Sequence, residues 1–277
     1  MDLTGVSDLA ELSEAEYRIR LHERSSAQVR EALGMDGARI GGGVALAVRN
    51  EPSGAWTRAL GLGITQPLTS GLLDEVTGFF RSAGVTAASI QIAPRFLPSD
   101  WDRIAGRAQL VDTGSAMLKL AGRPERSTAP PPESLRIAPV PADRVREAVG
   151  VLLRGIGLPA EGLVDMLAGS VDGTSSTVWA AWAGEQIVAT SIFWIDREVA
   201  YFAGMATLPE HRGQGAQTGL IAAQMTLAAE AGCQWAFVDV VAPVAGGTNT
   251  SLTNFLRHGF EPLHRRANWR WTQPHGR

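Results

Sequence analysis

Apolar residues recur along this chain at two spacings, and the switches between them mark out its elements. In residues 69–84, "TSGLLDEVTGFFRSAG", Leu72, Leu73, Val76 and Phe80 share one face of a 3.6-residue helix. Thr69 stands where a helix needs a side-chain cap, and Gly84 where it stops. The run "QTGLIAAQMTLAAEAGC" sets Ile221, Met225 and Ala228 at i, i+4 and i+7, with Gly232 as its stop. Near the amino terminus, "EYRIRLHERSSAQVREALG" also has helical character. "GGVALAVRN" and "TRALGLGI" read as strands joined by the turn signal "EPSG". "AASIQIAP" and "SAMLKLAG" are further strands, with the helix "SDWDRIAGRA" between them opened by Ser99.

The second half begins with two helices, "PADRVREAVGVLL" and "PAEGLVDMLAGS". A meander follows, of "TVWAAWAG", "QIVATSIFWI" and "EVAYFAGMATLP". The helix at residues 217–233 comes next, then a buried strand "QWAFVDVVA", a short helix "SLTNFLRHG" and a last strand "HRRANWRW". The arginines of that last strand suit an exposed sheet edge. Between the halves, "AGRPERSTAPPPES" carries four prolines and sustains neither helix nor central strand. It predicts a semi-rigid linker at residues 124–134, parting a domain at 1–123 from one at 135–277.

Composition narrows the chemistry. With 45% hydrophobic and 19% charged residues, the chain of 277 has enough apolar material for full cores. A formal charge of −3 gives no electrostatic footprint for nucleic acid or anionic membrane. The single cysteine, Cys233, excludes an intrachain disulfide and a Cys-rich metal site. No run approaches the roughly 20 apolar residues of a membrane span, and the acidic start lacks a hydrophobic signal region. A soluble cytoplasmic protein without a metal is the expectation.

The chemically pointed stretch is "ATLPEHRGQGAQTGL". It puts Arg212, Gly213, Gln214, Gly215 and Ala216 where a strand hands over to a helix beginning near Gln217. A helix amino terminus leaves backbone N–H groups unpaired and carries partial positive charge. Glycines let such a loop curl and let a phosphate touch the backbone. A tight turn would use the same residues. No Gly-Lys-Ser/Thr follows, so this is not a P-loop. The preceding antiparallel hairpins also exclude a dinucleotide fingerprint.

This stretch resembles the acyl-CoA loop of the GNAT superfamily of N-acyltransferases, with its Q/R-x-x-G-x-G/A pattern. Arg212, Gly215 and Gln217 hold the pattern positions. "MATLPEHRGQG" and "NFLRHGF" are similar to the flanking elements, and the resemblance covers roughly residues 135–272. It implies a mixed, mainly antiparallel sheet flanked by helices (α/β, or α+β). The degenerate-looking first half, with "WTRALGLGI", "FFRSAG" and "IQIAP", resembles the amino-terminal partner of two-domain members. Two such domains in tandem are therefore implied, the first walling the acceptor cleft.

The resemblance further implies acetyl-CoA or another acyl-CoA as donor. Backbone groups of Met205, Ala206 and Thr207 would lie against the pantetheine. The amides from Gly213 to Thr218 would hold the pyrophosphate, with Asn249, Asn254 and Phe255 on the CoA side of the short helix. The acceptor implied is the amine of a small molecule. Two departures stand out. Gln217 replaces a small residue, and its side chain is expected to point outward. Phe255 stands where many members carry a tyrosine acid, and the usual Glu base position is apolar. Proximity alone, or Tyr201 or Asp239 acting from elsewhere, would then serve the proton transfers. For both residues packing or internal hydrogen bonding is the plainer reading, as surface exposure is for His211 and His258. An acyl-CoA sensor without transfer, and acyl transfer from aminoacyl-tRNA, stay as alternatives.

Overall fold

The computed structural model describes residues 3–127, 132–244 and 246–273. The chain divides into two units, residues 1–119 with 263–277, and residues 120–262. The first unit contains α1 (Leu3–Arg24), α2 (Ala27–Leu33), β1 (Met35–Ile40), β2 (Gly43–Val48), β3 (Arg58–Leu60), α3 (Ser70–Ser82), β4 (Ala87–Gln91), α4 (Trp101–Arg107) and most of β5 (Val111–Gly122). The second contains β6 (Arg136–Pro139), α5 (Val145–Ile156), α6 (Leu163–Gly169), β7 (Ser176–Ala183), β8 (Gln186–Asp196), β9 (Val199–Thr207), α7 (Ala216–Glu230), β10 (Trp235–Val241) and α8 (Thr250–Arg257). The last strand, β11 (Glu261–Thr272), returns to the first unit and pairs antiparallel with β4, Trp269 opposite Ile90. Among the described residues no helix is long and apolar enough to cross a membrane.

Strands in the first unit run in the order β1-β2-β3-β4-β11-β5. The hydroxyl of Thr69 accepts from Leu72 N at 3.2 Å and starts α3 as a side-chain cap. That helix buries Leu72, Leu73, Val76 and Phe80 with Ala45, Ala47, Ile90 and Trp271, and Phe80 stacks on Trp271 at 5.6 Å. Elsewhere α1 lays Ala15 and Ile19 over Val44, Leu46 and Leu60. Its charged residues are buried too. Glu14 takes Lys119 at 2.7 Å and Arg266 at 2.8 Å, while Glu11 takes Arg266 at 2.7 Å and His264 at 3.0 Å. Burial alone would raise both carboxylates. The charges of Arg266 and Lys119 outweigh it, holding Glu11 at about 2 and Glu14 well below its ordinary value.

This cluster corrects the reading of "HRRANWRW" as an exposed edge. β11 lies between β4 and β5, with Arg266 and Trp271 each 1% exposed. Its arginine serves a buried ion cluster and its tryptophan a core, neither of which periodicity distinguishes from a solvated face.

In the second unit the order is β10-β9-β8-β7-β6. β6 to β9 are antiparallel neighbours, whereas β9 and β10 are parallel. β6 was not expected, because four residues after a proline-rich run give too short a pattern. α5 ends at Gly157 in the left-handed conformation, φ 76°. The hydroxyl of Thr190 on β8 donates to Ala148 O on α5 at 3.2 Å. Ala216 and Leu220 of α7 pack with Leu135, Ala181, Val188 and Ala189. The expected linker at 124–134 falls partly on residues 128–131, outside the described residues. Its described ends lie on α7: Ser127 N donates to Thr226 Oγ1 at 3.0 Å, and Pro132 faces Gly219. The division between units falls after Lys119, within β5.

Candidate active site

The site grows from a local irregularity in β9. Its ladder with β8 slips between Ile192 opposite Gly204 and Phe193 opposite Phe202, leaving Ala203 as an extra residue. A bulge bends its strand and sharpens the local twist. At the same place the parallel ladder with β10 ends: the last partners are Phe202 and Val238, although β9 continues to Thr207 and β10 to Val241. Residues 204–207 therefore pair with β8 on one side only, among the described residues. They present a short row of backbone donors and acceptors to an opening between two parallel strands.

β9 leads directly into a turn at Pro209–His211 and then the glycine loop. Gly213 and Gly215 adopt φ 78° and 79°, a region that L side chains rarely enter. Gly215 caps α7 without a side chain, and the first α7 bond reaching it runs from Gly219 N to Gly215 O at 2.9 Å. The preceding amides of Ala216, Gln217 and Thr218 have no carbonyl one turn back within the helix. Residues 212–215 are exposed. The loop is a curled, accessible helix amino terminus at the mouth of the strand opening.

Arg212 holds this loop in place. Its Nε donates to Thr207 O at 3.4 Å and one Nη to Gly155 O, near the carboxyl end of α5, at 3.2 Å. A cation suits that end of a helix. Gly155 is itself constrained, since a β-carbon there would lie 2.7 Å from Ala206 Cβ. Sequence reasoning missed Gly155, for "LLRGIGL" carries no signal that β9 comes so close.

Gln217 does not point outward as expected. Its amide bridges to α8, donating to Ser251 Oγ at 2.9 Å and accepting from Asn254 Nδ2 at 2.8 Å. Asn249 caps α8 by accepting from Leu252 N at 3.0 Å, and donates to Val241 O at 2.8 Å, fastening the end of β10. These polar side chains join α7, α8 and β10 around the opening. Phe255 departs from its expected place on the CoA side. At 1% exposure it sits edge-on to Phe202 at 5.2 Å and Phe260 at 5.0 Å, with Phe193 beyond. It is a core residue with no free face for a ligand.

Tyr201 and Asp239 do come together, the phenol donating to Asp239 Oδ2 at 3.0 Å. Tyr201 is 1% exposed and pairs with Phe237, one step before the ladder ends. Asp239, half-buried, lies just past the last paired residue of β10, at the root of the opening.

Residues 159–260 match the model of the Acetyltransferase (GNAT) family. They have the GNAT fold. The match takes in the meander, the bulged strand, the glycine loop, α8 and Phe260. No curated protein sequence matches the chain. Among solved structures, the chain is similar to a GCN5-related N-acetyltransferase from Kribbella flavida at 17% identity and TM-score 0.63, covering 96% of each chain. A tandem GNAT protein from the clavulanic acid biosynthesis pathway matches at 13% identity and TM-score 0.61, over 99% of this chain and 97% of that one. An acetyltransferase from the GNAT family of Colwellia psychrerythraea matches at 15% and 0.53, over 98% of each. These likenesses extend over both units and fit a two-domain GNAT fold.

Proposed function

We propose that the GNAT domain transfers an acetyl or related acyl group from acyl-CoA to the amine of a small molecule. The observation that carries this reading is the opening of β9 from β10 after Phe202 and Val238, continuous with the exposed amide loop at Arg212 to Thr218. The one-sided edge at Met205, Ala206 and Thr207 has the repeat of a missing strand, which the amide-bearing pantetheine arm can supply. The amides of Gly213, Gln214, Gly215, Ala216, Gln217 and Thr218 face the position a pyrophosphate would take. Arg212 contributes by holding the loop to α5. Asn249 and Asn254 shape the far wall.

In this reading the acceptor nitrogen attacks the thioester carbonyl, a C–N bond forms, the C–S bond breaks and the thiolate leaves. An edge N–H of β9 stabilises charge on the carbonyl oxygen. Asp239 takes the proton released by the amine, and Tyr201, too buried to touch substrate, positions its carboxylate. The thiolate takes a proton from water, since Phe255 offers none.

Calorimetric titration of acetyl-CoA into wild type and Gly215→Pro, joined to a thiol-release assay over a panel of small amines, tests the proposal. Binding that collapses in Gly215→Pro and amine-dependent thiol release are expected. Binding without release from any amine would favour an acyl-CoA sensor, the reading to which buried Phe255 lends support. Failure of wild type to bind would sink both.

A further inference from the structure

We infer, resting on the donor reading above, that Gln217 is a positioning residue whose side chain sets the width of the opening in which acyl-CoA lies. After Phe202 and Val238 the ladder no longer joins β9 to β10, so the ends of the two strands need another tie. The wall formed by β9 runs on through the turn at Pro209–His211 and the glycine loop into α7. The wall formed by β10 runs on into α8. Arg212 fastens the first wall to α5. A tie across to the second wall has to come from side chains.

Gln217 supplies that tie. From the second residue of α7 its amide reaches α8 at two points, Nε2 donating to Ser251 Oγ at 2.9 Å and Oε1 accepting from Asn254 Nδ2 at 2.8 Å. Ser251 and Asn254 stand three residues apart on one face of α8, so a single planar amide spans both. α8 is in turn fastened to β10 by Asn249, whose Oδ1 accepts from Leu252 N at 3.0 Å and whose Nδ2 donates to Val241 O at 2.8 Å. Strand β9, the glycine loop, α7, Gln217, α8, Asn249 and β10 thus make a closed ring of bonded segments around the opening. The two bonds of Gln217 close it across 34 and 37 positions of sequence. A neutral hydrogen bond shifts an equilibrium by about 2- to 10-fold, enough for the pair to hold α8 in register with α7.

The place of Gln217 in the helix gives the clasp a second effect. Its backbone N–H is one of those with no carbonyl one turn back, and in the donor reading it faces the pyrophosphate. A long side chain at this position is a hindrance unless it is held aside. Bound to Ser251 and Asn254, it leaves the anion's approach open and orients the N–H of its own residue. The departure from a small residue at position 217 is accounted for in this way: the glutamine trades compactness for a bond between the two walls.

Calorimetric titration of acetyl-CoA into the full chain tests the clasp without an acceptor. Gln217→Met keeps the length and removes both bonds, and should raise Kd about tenfold with an unchanged circular dichroism spectrum. Ser251→Val with Asn254→Leu removes the two partners and should weaken binding to the same degree. Adding Gln217→Met to that pair should cost nothing further, because members of one network do not act additively. Gln217→Glu keeps the clasp, since the Ser251 hydroxyl and Asn254 Nδ2 both donate to a carboxylate, but it sets a charge beside the pyrophosphate. In about 0.5 M KCl, where the screening length falls to about 4 Å, this variant should bind as wild type does at the same salt, whereas Gln217→Met should stay weak. Variants all within about twofold of wild type, a triple variant whose losses add, or a Glu variant as weak as the Met variant at high salt would each overturn the inference and leave the donor reading standing. Wild type that does not bind acetyl-CoA overturns the donor reading, and the clasp falls with it.

Discussion

Replacing Lys119 by Met removes one cation from a place where nothing can substitute for it. Its Nζ lies 2.7 Å from Glu14 Oε2, with the two side chains 0% and 1% exposed. The carboxylate left behind keeps Arg266 at 2.8 Å and Arg18 at 3.8 Å, but the cluster becomes one charge more negative in a volume closed to water. Breaking a buried pair from one side costs about 3–5 kcal/mol. The surviving Arg266 contact places this case near the lower end. With a urea m-value of about 2 kcal/mol per molar, the unfolding midpoint should fall by about 1.5 M. Trp56, Trp101, Trp269 and Trp271 report from the first unit in the total fluorescence. The double variant Glu14→Met with Lys119→Met should recover most of the loss, because an apolar pair carries no desolvation penalty. A single variant within about 0.3 M of wild type would refute the reasoning, and so would a double variant no better than the single.

Acid should act on the first unit in two windows. Burial pushes the His22 imidazole down from 6.5 to about 4, so the unfolded chain takes up its proton first. Stability should fall by about 3 kcal/mol as pH drops from 6.5 to 4, and His22→Leu should flatten that slope in pH-dependent urea melts. Glu11, held at about 2 against an ordinary 4.5, contributes stability that is present above pH 4.5 and lost toward pH 2, again about 3 kcal/mol, and Glu11→Gln should make this second slope shallower, with Glu14 supplying part of what is left. Gly155→Ala should raise the KM for acyl-CoA more than it lowers kcat, since the added methyl meets Ala206 Cβ at 2.7 Å and displaces the edge of β9. An unchanged KM would separate that edge from donor binding. Phe255→Tyr puts a hydroxyl into a ring of phenylalanines and should lower stability by about 1–3 kcal/mol without raising kcat. A gain in kcat would show that residue 255 reaches the leaving thiolate after all.

Much of this protein was legible in its sequence, because the signals involved are local. Thr69 caps α3, and Gly232 with φ 77° follows the end of α7, through their own backbone neighbourhoods. The left-handed turns at Gly213 and Gly215 follow from the absence of a β-carbon, and the apolar spacing of α3 states which face is buried. The Arg-Gly-Gln-Gly run and the Gly-Phe element were sufficient to point to a GNAT domain. Other features needed the chain to be folded. Gln217 turns to α8 because Ser251 and Asn254 wait there, and Phe255 turns inward because Phe202 and Phe260 complete its ring. Arg212 finds Gly155, 57 positions away. The last strand looked like an edge because charge on a strand ordinarily means solvent. Only tertiary structure brings Arg266 to Glu11 and Glu14, some 250 positions earlier, and makes a buried cluster of what would otherwise be a solvated face. Short-range sterics and periodicity are properties of a segment. The pairing of buried polar groups belongs to segments that meet, and no single stretch of sequence specifies its partner.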